Sequence, residues 1–352
     1  MASAGLEAFP GMSGSPRVTV LTPVYNGERY LEEAIQGILR QTWRDFEFLL
    51  IDDASTDATP ELLAAWAARD ARIRVVRNPV NLGLTCSLNR GIALARGEWI
   101  ARQDGDDCSF PERLARQLGF LEAHPGVELL GSGAWWMNAR GERETRPRSQ
   151  PTGHVEIAWT LLTGNPFFHT SVIFSRRLAL ACPYDEGLRF GQDFELWGRM
   201  LAVTRGANLA EPLVCSRRHE ERVSALHGDA QREIALVIAR RRCQGLVPER
   251  SWSRAELLAA REWMSSLWPT PGETRETLET GLELFGAFKN QGGRDGLELE
   301  ALERRVLQRV WRGVFALPPG DRWPVMRRMW RLAGWQAPRS LGALLGSVAR
   351  SR

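Results

Sequence analysis

The sequence lacks the features that would assign it to a membrane-spanning, secreted or zinc-binding class. It has no run of about 18 apolar residues, so no membrane-spanning helix is expected. The N-terminal segment MASAGLEAFPGMSGSP has neither the basic nor the apolar region of a secretory signal peptide. The five cysteines are widely spaced and form no CxxC pair, which argues against a zinc framework and a disulfide scaffold. We therefore expect a cytoplasmic protein.

Lysine is almost absent as well, because Lys289 is the only lysine among 46 basic residues. The remaining composition is that of a globular protein, with 43% hydrophobic and 25% charged residues in a chain of 352. Mainly disordered, collagen-like and coiled-coil proteins are excluded by this composition. The net charge of +4 is unevenly placed, since residues 321–352 contain seven arginines and one aspartate. Basic character is thus a feature of the C-terminal tail.

The first half of the chain alternates strand-like and helix-like patterns. Apolar runs predict strands, and apolar residues at helical spacing predict helices between them. The predicted strands span residues 17–22, 46–51, 73–77 and 98–101. Such alternation predicts an α/β fold with a doubly wound sheet, whose ligands bind beyond the carboxyl ends of the strands. From about residue 221 onward the pattern is helical.

Three carboxylates follow the fourth predicted strand within four residues, namely Asp104, Asp106 and Asp107. They repel one another, and they tolerate that arrangement best with a divalent cation between them. The alternative is a solvated acidic turn, because Asp and Gly are common turn residues. The motif by itself leaves both interpretations open.

Two further polar segments end strands at the same predicted edge of the sheet. Asp52 and Asp53 follow the second strand, where a carboxylate can accept hydrogen bonds from a base N–H or from ribose hydroxyls. The Ser/Thr/Asp residues after them can instead cap the next helix. Tyr25 follows the first strand and either stacks on a base or packs at the foot of its loop. Together the three clusters predict a pocket for a nucleoside diphosphate and a cation.

The same segments resemble family 2 glycosyltransferases with a GT-A fold. The resemblance is carried by TPVYNGERYLEEAIQGILRQTW, FEFLLIDDASTDAT, NPVNLGLTCSLNRGIALARGEWIARQDGDD and FGQDFELWGRM, in this order. It implies a mixed, mainly parallel sheet flanked by helices over residues 16–225, with a nucleotide-binding half at 16–108 and an acceptor half at 109–225. Outside it we expect a flexible tail at 1–15, a helical extension at 226–320 and a basic Trp/Arg-rich tail at 321–352.

The resemblance also implies nucleotide-binding residues. Asp53 corresponds to the aspartate that contacts the nucleobase, and Tyr25 to the tyrosine near the base, with Pro23 close by. Asp104 corresponds to the first aspartate of the DxD motif, which holds the metal and the diphosphate.

The resemblance also implies a divalent metal, Mg²⁺ or Mn²⁺, whose ligands lie at the end of the same motif. Asp106 is the second aspartate of DxD, and Asp107 is the ligand in some family members, so the choice between them stays open. His219 lies where a third ligand is usually found, and otherwise it is a loop residue.

An inverting transfer needs a base that takes the proton of the acceptor hydroxyl, and the resemblance assigns this role to Asp193. The family usually has Glu-Asp here, and this chain has Gln192 before the aspartate. The alternative is that Asp193 caps the helix that follows. Glu195 is a weaker candidate base, while His169 and Trp197 are candidate acceptor residues, with core packing as the alternative for Trp197.

The predicted reaction is the inverting transfer of one sugar from a nucleotide sugar, UDP-linked, to a hydroxyl of a glycan or glycolipid. Two alternatives are a non-catalytic sugar- or polymer-binding homologue and a sugar nucleotidyltransferase. The second needs a Gly-rich, basic first loop, whereas TPVYNGERY has one glycine.

The basic tail interleaves Trp323, Trp330 and Trp335 with arginines, which suits an anionic membrane surface at the inner face of the membrane. The alternative is an amphipathic helix packed on the domain. No nucleic-acid partner is expected, and the oligomeric state is left open.

Overall fold

The computed structural model describes residues 15–220, 222–265, 274–291 and 295–333, without the side chains of residues 223 and 224. The chain divides into two compact units. The sheet unit comprises the described residues up to Thr152 together with Phe167–Gly228. The helical unit comprises Gly153–Pro166 and the described residues from Asp229 onward.

The first half of the sheet unit is a parallel sheet built from the predicted strands. Its strands are β1 (Val18–Val24), β2 (Phe46–Asp52), β3 (Ile73–Arg77) and β4 (Trp99–Arg102), in the order β3-β2-β1-β4. The helices α1 (Leu31–Leu39), α2 (Thr59–Arg69) and α3 (Leu84–Leu94) follow the first three strands. All seven residues of β2 are buried, as expected for an apolar strand at the centre of a parallel sheet. The carboxyl ends of the four strands therefore meet at one edge.

The second half of the sheet is mixed. Its strands are β5 (Cys108–Ser109), β6 (Val127–Met137), β7 (Ile173–Ser175) and β8 (Arg205–Arg217), and they extend the order as β4-β7-β6-β8-β5. Strand β7 is antiparallel to both β4 and β6, β6 and β8 are parallel, and β5 is antiparallel to β8. The helices of this half are α4 (Arg113–Ala123), α6 (Arg176–Ala181), α7 (Gln192–Leu201) and α8 (Val223–Leu226). The predicted mixed, mainly parallel sheet flanked by helices is confirmed.

The helical unit contains α5 (His154–Thr160), α9 (Gly228–Leu246), α10 (Arg254–Ser265), α11 (Arg275–Asn290), α12 (Gly296–Ala316) and α13 (Pro319–Ala333). Its core is rich in aromatic side chains, and Trp159 of α5 makes edge contacts with Phe285 and Phe288 of α11. Gly281 is required there, because a Cβ atom would lie 2.7 Å from the ring of Trp263. The predicted helical C-terminal region is confirmed. Helix α5 packs with it, although in the chain α5 lies between two segments of the sheet unit.

The start of the basic tail forms α13. Val325 and Met329 are buried in the core of the helical unit, whereas Trp323 is 57% exposed. Residues 319–333 therefore include a packed face, as the alternative predicted, and contact of the helix with a membrane surface stays a prediction. Trp335 and the remainder of the tail lie outside the described residues, as do residues 1–14 of the predicted N-terminal tail. None of the described helices is both long and apolar enough to span a membrane.

Candidate functional site

The loops after β1 and β2 are joined by hydrogen bonds. The backbone N–H of Asn26 donates to Ser55 Oγ at 3.0 Å, and that of Gly27 donates to Thr59 Oγ1 at 2.8 Å. The hydroxyls of Ser55 and Thr59 do not cap helix α2, but Asp57 Oδ1 of the same segment accepts a hydrogen bond from the N–H of Thr59, the first residue of the helix, at 3.0 Å. The Ser/Thr residues instead satisfy backbone amides of the first loop, and this holds the two loops together at the edge of the sheet.

Asp53 is buried where these loops meet the start of α3. Its carboxylate accepts hydrogen bonds from Asn78 Nδ2 at 2.6 Å and from the backbone N–H groups of Leu82 and Gly83, both at 2.8 Å. Asp53 therefore fixes the loop before α3, a structural role that sequence reasoning missed. Tyr25, in contrast, is 50% exposed at the same edge. Pro23, two residues before Tyr25, pairs with Ile51 in the register of β1 and β2, which places Pro23, Tyr25 and Asp53 at one edge.

The three predicted acidic residues meet in space. Ligand atoms of Asp104, Asp106 and Asp107 all lie within 4.8 Å of one another. Asp104 forms an ion pair with the buried Arg102, while Asp107 Oδ1 accepts a hydrogen bond from the backbone N–H of Arg217 at 2.7 Å. Because Asp107 is fully buried, this cluster differs from a solvated acidic turn.

One oxygen of the cluster is buried without a hydrogen bond. Asp107 Oδ2 has no hydrogen-bond partner among the described residues. Burial, together with the charges of Asp106 and Asp104, raises the pKa of Asp107 to about 8. A bound cation would remove this penalty, since it supplies the charge that the buried carboxylate lacks. Carboxylate oxygens are the ligands that Mg²⁺ and Mn²⁺ prefer, so the residues present fit the predicted metal.

His219 lies beside the acidic cluster, although it is far from it in sequence. Its Nε2 is 2.9 Å from Asp106 Oδ2, and its Nδ1 is buried without a hydrogen bond to a described group. The ring contacts Tyr30, over which the Arg217 guanidinium also lies. Arg217 Nε donates to the carbonyl of Asp106 at 3.0 Å. His219 therefore lies beside Asp106, and its role as a further metal ligand stays a prediction.

A cavity of about 430 Å³ opens next to this cluster. Its lining includes Asp104, Trp136, His169, Arg218, His219 and Arg222. His169 Nε2 lies 2.8 Å from the hydroxyl of Tyr184, a residue for which the sequence offered no signal. Burial lowers the pKa of His169 well below its usual value, so the ring is neutral at neutral pH. Trp197 is fully buried against Phe167 and His169 and is a core residue outside the cavity lining.

Asp193 lies in the first turn of α7, outside the lining of that cavity. The helix begins after Gly191, whose φ of 67° lies in the left-handed region, so Asp193 is not the N-cap residue. Its Oδ1 accepts a hydrogen bond from the N–H of Phe194 at 2.7 Å. Burial raises the pKa of Tyr184, the charge of Arg102 lowers it, and the charge of Asp193 raises it further. Glu195 is held by Arg199 at 2.8 Å.

The mixed sheet, with an acidic cluster at the carboxyl ends of its parallel strands, agrees with the predicted GT-A fold. Residues 19–180 match the model of glycosyl transferase family 2. EpsE of Bacillus subtilis (strain 168), named as a glycosyltransferase, is 36% identical over 207 residues, which are 57% of this chain and 73% of EpsE. The chain belongs to glycosyltransferase family 2.

Two further comparisons agree with this assignment. The amylovoran biosynthesis glycosyltransferase AmsE of Erwinia amylovora is 27% identical over 213 residues, 60% of this chain and 79% of AmsE. The structure of S. aureus TarS 1–349 in complex with UDP-GlcNAc aligns with a TM-score of 0.54 at 17% identity, covering 88% of this chain and 89% of that one. At this identity the structural likeness shows the fold.

Proposed function

We propose that this glycosyltransferase moves a single sugar from a UDP-linked donor to a hydroxyl group of a glycan or glycolipid, with inversion at the anomeric carbon. The observation that carries the proposal is the cluster of Asp104, Asp106 and Asp107, with its buried and unbonded carboxylate oxygen. A UDP-linked donor fits TarS, whose complex contains UDP-GlcNAc. A polysaccharide acceptor fits AmsE, which is named for amylovoran biosynthesis.

In this proposal the nucleotide lies at the edge formed by β1 and β2. Tyr25 has an exposed ring that offers a stacking surface to the base, and Pro23 lies two residues earlier, near the end of β1. The second oxygen of Asp53 accepts one backbone hydrogen bond and has lone-pair capacity for a base N–H. Asp104, held by Arg102, faces the diphosphate side of the site.

Asp106, Asp107 and His219 would hold the Mg²⁺ or Mn²⁺ ion. When bound, the ion neutralises charge that develops on the departing nucleoside diphosphate. Asp193 removes the proton of the acceptor hydroxyl as that oxygen attacks the sugar. The neutral His169, which lines the cavity and contacts the Tyr184 hydroxyl, can hydrogen-bond a sugar hydroxyl without carrying charge into the pocket.

Nucleotide-dependent stabilisation tests the donor site directly. We expect UDP with Mn²⁺ to raise Tm, because a ligand at about 100 times its dissociation constant adds about 2.7 kcal/mol to the free energy of unfolding. The measurement is thermal unfolding with a panel of nucleoside diphosphates and nucleotide sugars, each with and without Mn²⁺. GDP and ADP under the same conditions are the controls for base specificity.

The panel also separates the alternatives. A stabilised protein that neither hydrolyses nor transfers any sugar would favour the non-catalytic homologue. A larger shift with a nucleoside triphosphate and a sugar phosphate than with UDP would favour the nucleotidyltransferase. A folded protein that shows no shift with any nucleotide would contradict the proposal.

We also propose that the helical unit contacts an anionic membrane surface, at the cytoplasmic face. A groove of about 700 Å³ between α11 and α13, called the basic groove here, is lined by Arg275, Glu279, Glu283, Trp323, Arg327, Arg328 and Arg331, among others. Glu279 lies 2.9 Å from Arg275, and Glu283 lies 3.5 Å from Arg328. Within the described residues, no carboxylate pairs with Arg327 or Arg331. These two guanidiniums and the exposed Trp323 suit phospholipid headgroups.

Vesicle binding tests this contact. The double variant Arg327→Gln with Arg331→Gln is expected to bind vesicles of phosphatidylglycerol and phosphatidylcholine about 30-fold more weakly, since each basic residue near such a surface contributes about 1 kcal/mol. The matched control is Arg240→Gln with Arg241→Gln, which removes the same charge from exposed positions of α9 in the same unit. Equal losses in both double variants would assign binding to net charge and contradict a role of the groove.

A further inference from the structure

A fully buried arginine lies beneath the acidic cluster. Arg113 is the first residue of α4 and has no exposed surface. Its guanidinium donates five hydrogen bonds, all to neutral oxygens. They go to Gln117 Oε1 at 3.2 Å, Gln103 Oε1 at 3.0 Å, Ser109 Oγ at 2.9 Å, and the carbonyls of Arg102 at 2.7 Å and Val172 at 3.3 Å.

This charge is unusual because it has no ion-pair partner. Across the part of the chain that the structure describes, no carboxylate lies within ion-pair distance of Arg113. Burial, with a contribution from Arg102, lowers the pKa of Arg113 to about 9, so the group remains a cation at neutral pH. Buried cations without a carboxylate destabilise a fold unless their hydrogen bonds are complete, and the five bonds of Arg113 meet that condition. A neutral apolar side chain could fill the same space without the desolvation cost of a buried charge.

The hydrogen bonds of Arg113 lead to the acidic loop through Gln103. The Oε1 atom of Gln103 accepts from Arg113 and from Ser109 Oγ, so this oxygen is held on the side away from the loop. Its Nε2 therefore faces the loop, where it donates to the carbonyl of Asp104 at 3.0 Å and to that of Asp107 at 2.7 Å. One amide group thus joins both ends of the four-residue loop.

This arrangement determines where the carboxylates lie. With the carbonyls of Asp104 and Asp107 held by Gln103, the backbone of the loop cannot rotate freely, and the three carboxylates stay within 4.8 Å of one another. Such mutual repulsion would otherwise open the loop. Outer hydrogen bonds that hold a ligating group commonly change metal affinity by about 10–100-fold.

We propose that Arg113 is a positioning residue, which orients the Gln103 amide and thereby holds Asp104, Asp106 and Asp107 in the geometry that binds a divalent cation. Arg113 touches neither the cation nor the substrates. The inference rests on the proposed function, because it assumes that the cluster binds the metal.

The test compares three variants of the full chain, Arg113→Met, Gln103→Met and Gln117→Met. The first two break the path from Arg113 to the loop. The third is the matched control, since Gln117 also bonds Arg113 and the carbonyl of Ser171 but does not contact the loop. The dissociation constant of Mn²⁺ in the presence of UDP is measured by isothermal titration, and Tm is measured on the same samples.

We expect Arg113→Met and Gln103→Met to weaken Mn²⁺ binding by at least about 10-fold, and Gln117→Met to lower Tm while its Mn²⁺ affinity stays at the wild-type value. If all three variants lose Tm and bind Mn²⁺ as the wild type does, Arg113 is purely structural and the inference is overturned. If Arg113→Met does not fold, Gln103→Met decides alone, because it removes the only proposed link. A wild-type protein that binds no Mn²⁺ with UDP would overturn the proposed function as well.

Discussion

Replacing Asp193 with Asn is expected to lower kcat for sugar transfer by about 10²–10⁴-fold, because the amide cannot take up the proton of the acceptor hydroxyl. Binding of the donor should change little, since Asp193 lies on α7 and the proposed nucleotide site lies at the ends of β1 and β2. The substitution preserves shape, and Asn Oδ1 can still accept the hydrogen bond from the N–H of Phe194. The measurements are steady-state transfer kinetics and the dissociation constant of UDP.

The matched control lies in the same turn. Glu195→Gln removes a carboxylate one residue beyond Phe194, and this carboxylate pairs with Arg199 at 2.8 Å. Loss of a partly exposed i,i+4 pair costs about 0.3–0.5 kcal/mol of stability and should leave kcat close to the wild-type value. If Glu195→Gln caused the larger loss of kcat, the base would be Glu195. If Asp193→Asn retained full kcat, the proposed inverting mechanism would lose its base.

Neutralising the acidic cluster should have an effect of similar size. The double variant Asp106→Asn with Asp107→Asn is expected to abolish the Mn²⁺-dependent thermal shift with UDP. Transfer should fall by about 10³-fold, since a metal contributes several kcal/mol of charge stabilisation in the transition state. Transfer that continues unchanged in this variant would contradict the assignment of the metal site.

The single variants distinguish the two candidate ligands. Asp106 Oδ2 already contacts His219, whereas Asp107 Oδ2 is buried without a hydrogen bond in the described structure. If Asp107 is the main ligand, Asp107→Asn should raise the dissociation constant of Mn²⁺ more than Asp106→Asn does. The reverse order would make Asp106 the main ligand.

Asp107→Asn should also change the pH dependence of stability in metal-free protein. The pKa of Asp107 is raised from 3.8 to about 8, so the folded protein binds a proton that the unfolded chain has released. The free energy of unfolding therefore falls as the pH rises between these two values. Asp107→Asn removes this decrease, so the variant should be more stable than the wild type at the upper end of the range. Thermal unfolding of the wild type and the variant across this pH range, with a chelator present, measures the difference in stability.

Much of the nucleotide half could be predicted from sequence, because its information is local. The apolar run FEFLLI marks a buried strand, and three carboxylates soon after the strand at 99–102 predict a ligand-binding edge. Parallel strands present their carboxyl ends at one edge, so the positions of Tyr25, Asp53 and Asp104 along the chain already implied that they lie near one another.

The contacts within the site required the tertiary structure. The short strand β5 pairs with β8 so that Cys108 faces Cys215, and this register carries Arg217 and His219 to Asp107 and Asp106. A strand of two residues has no recognisable pattern, so no sequence argument could give its partner. The partner of helix α5 could not be predicted either, because nothing in the sequence of residues 153–166 indicates that the helix packs with the C-terminal helices.

By itself, the sequence determined strands β1 to β4, the acidic loop and the helical C-terminal region, because hydrophobic periodicity and strand-end carboxylates are properties of neighbouring residues. The tertiary structure alone decided that Trp197 lies in the core, that Asp53 also holds a loop, and that Arg113 supports the acidic cluster through Gln103. Each of these depends on which distant segments bury the side chain and which oxygen atoms they place beside it, and a one-dimensional pattern does not contain that information.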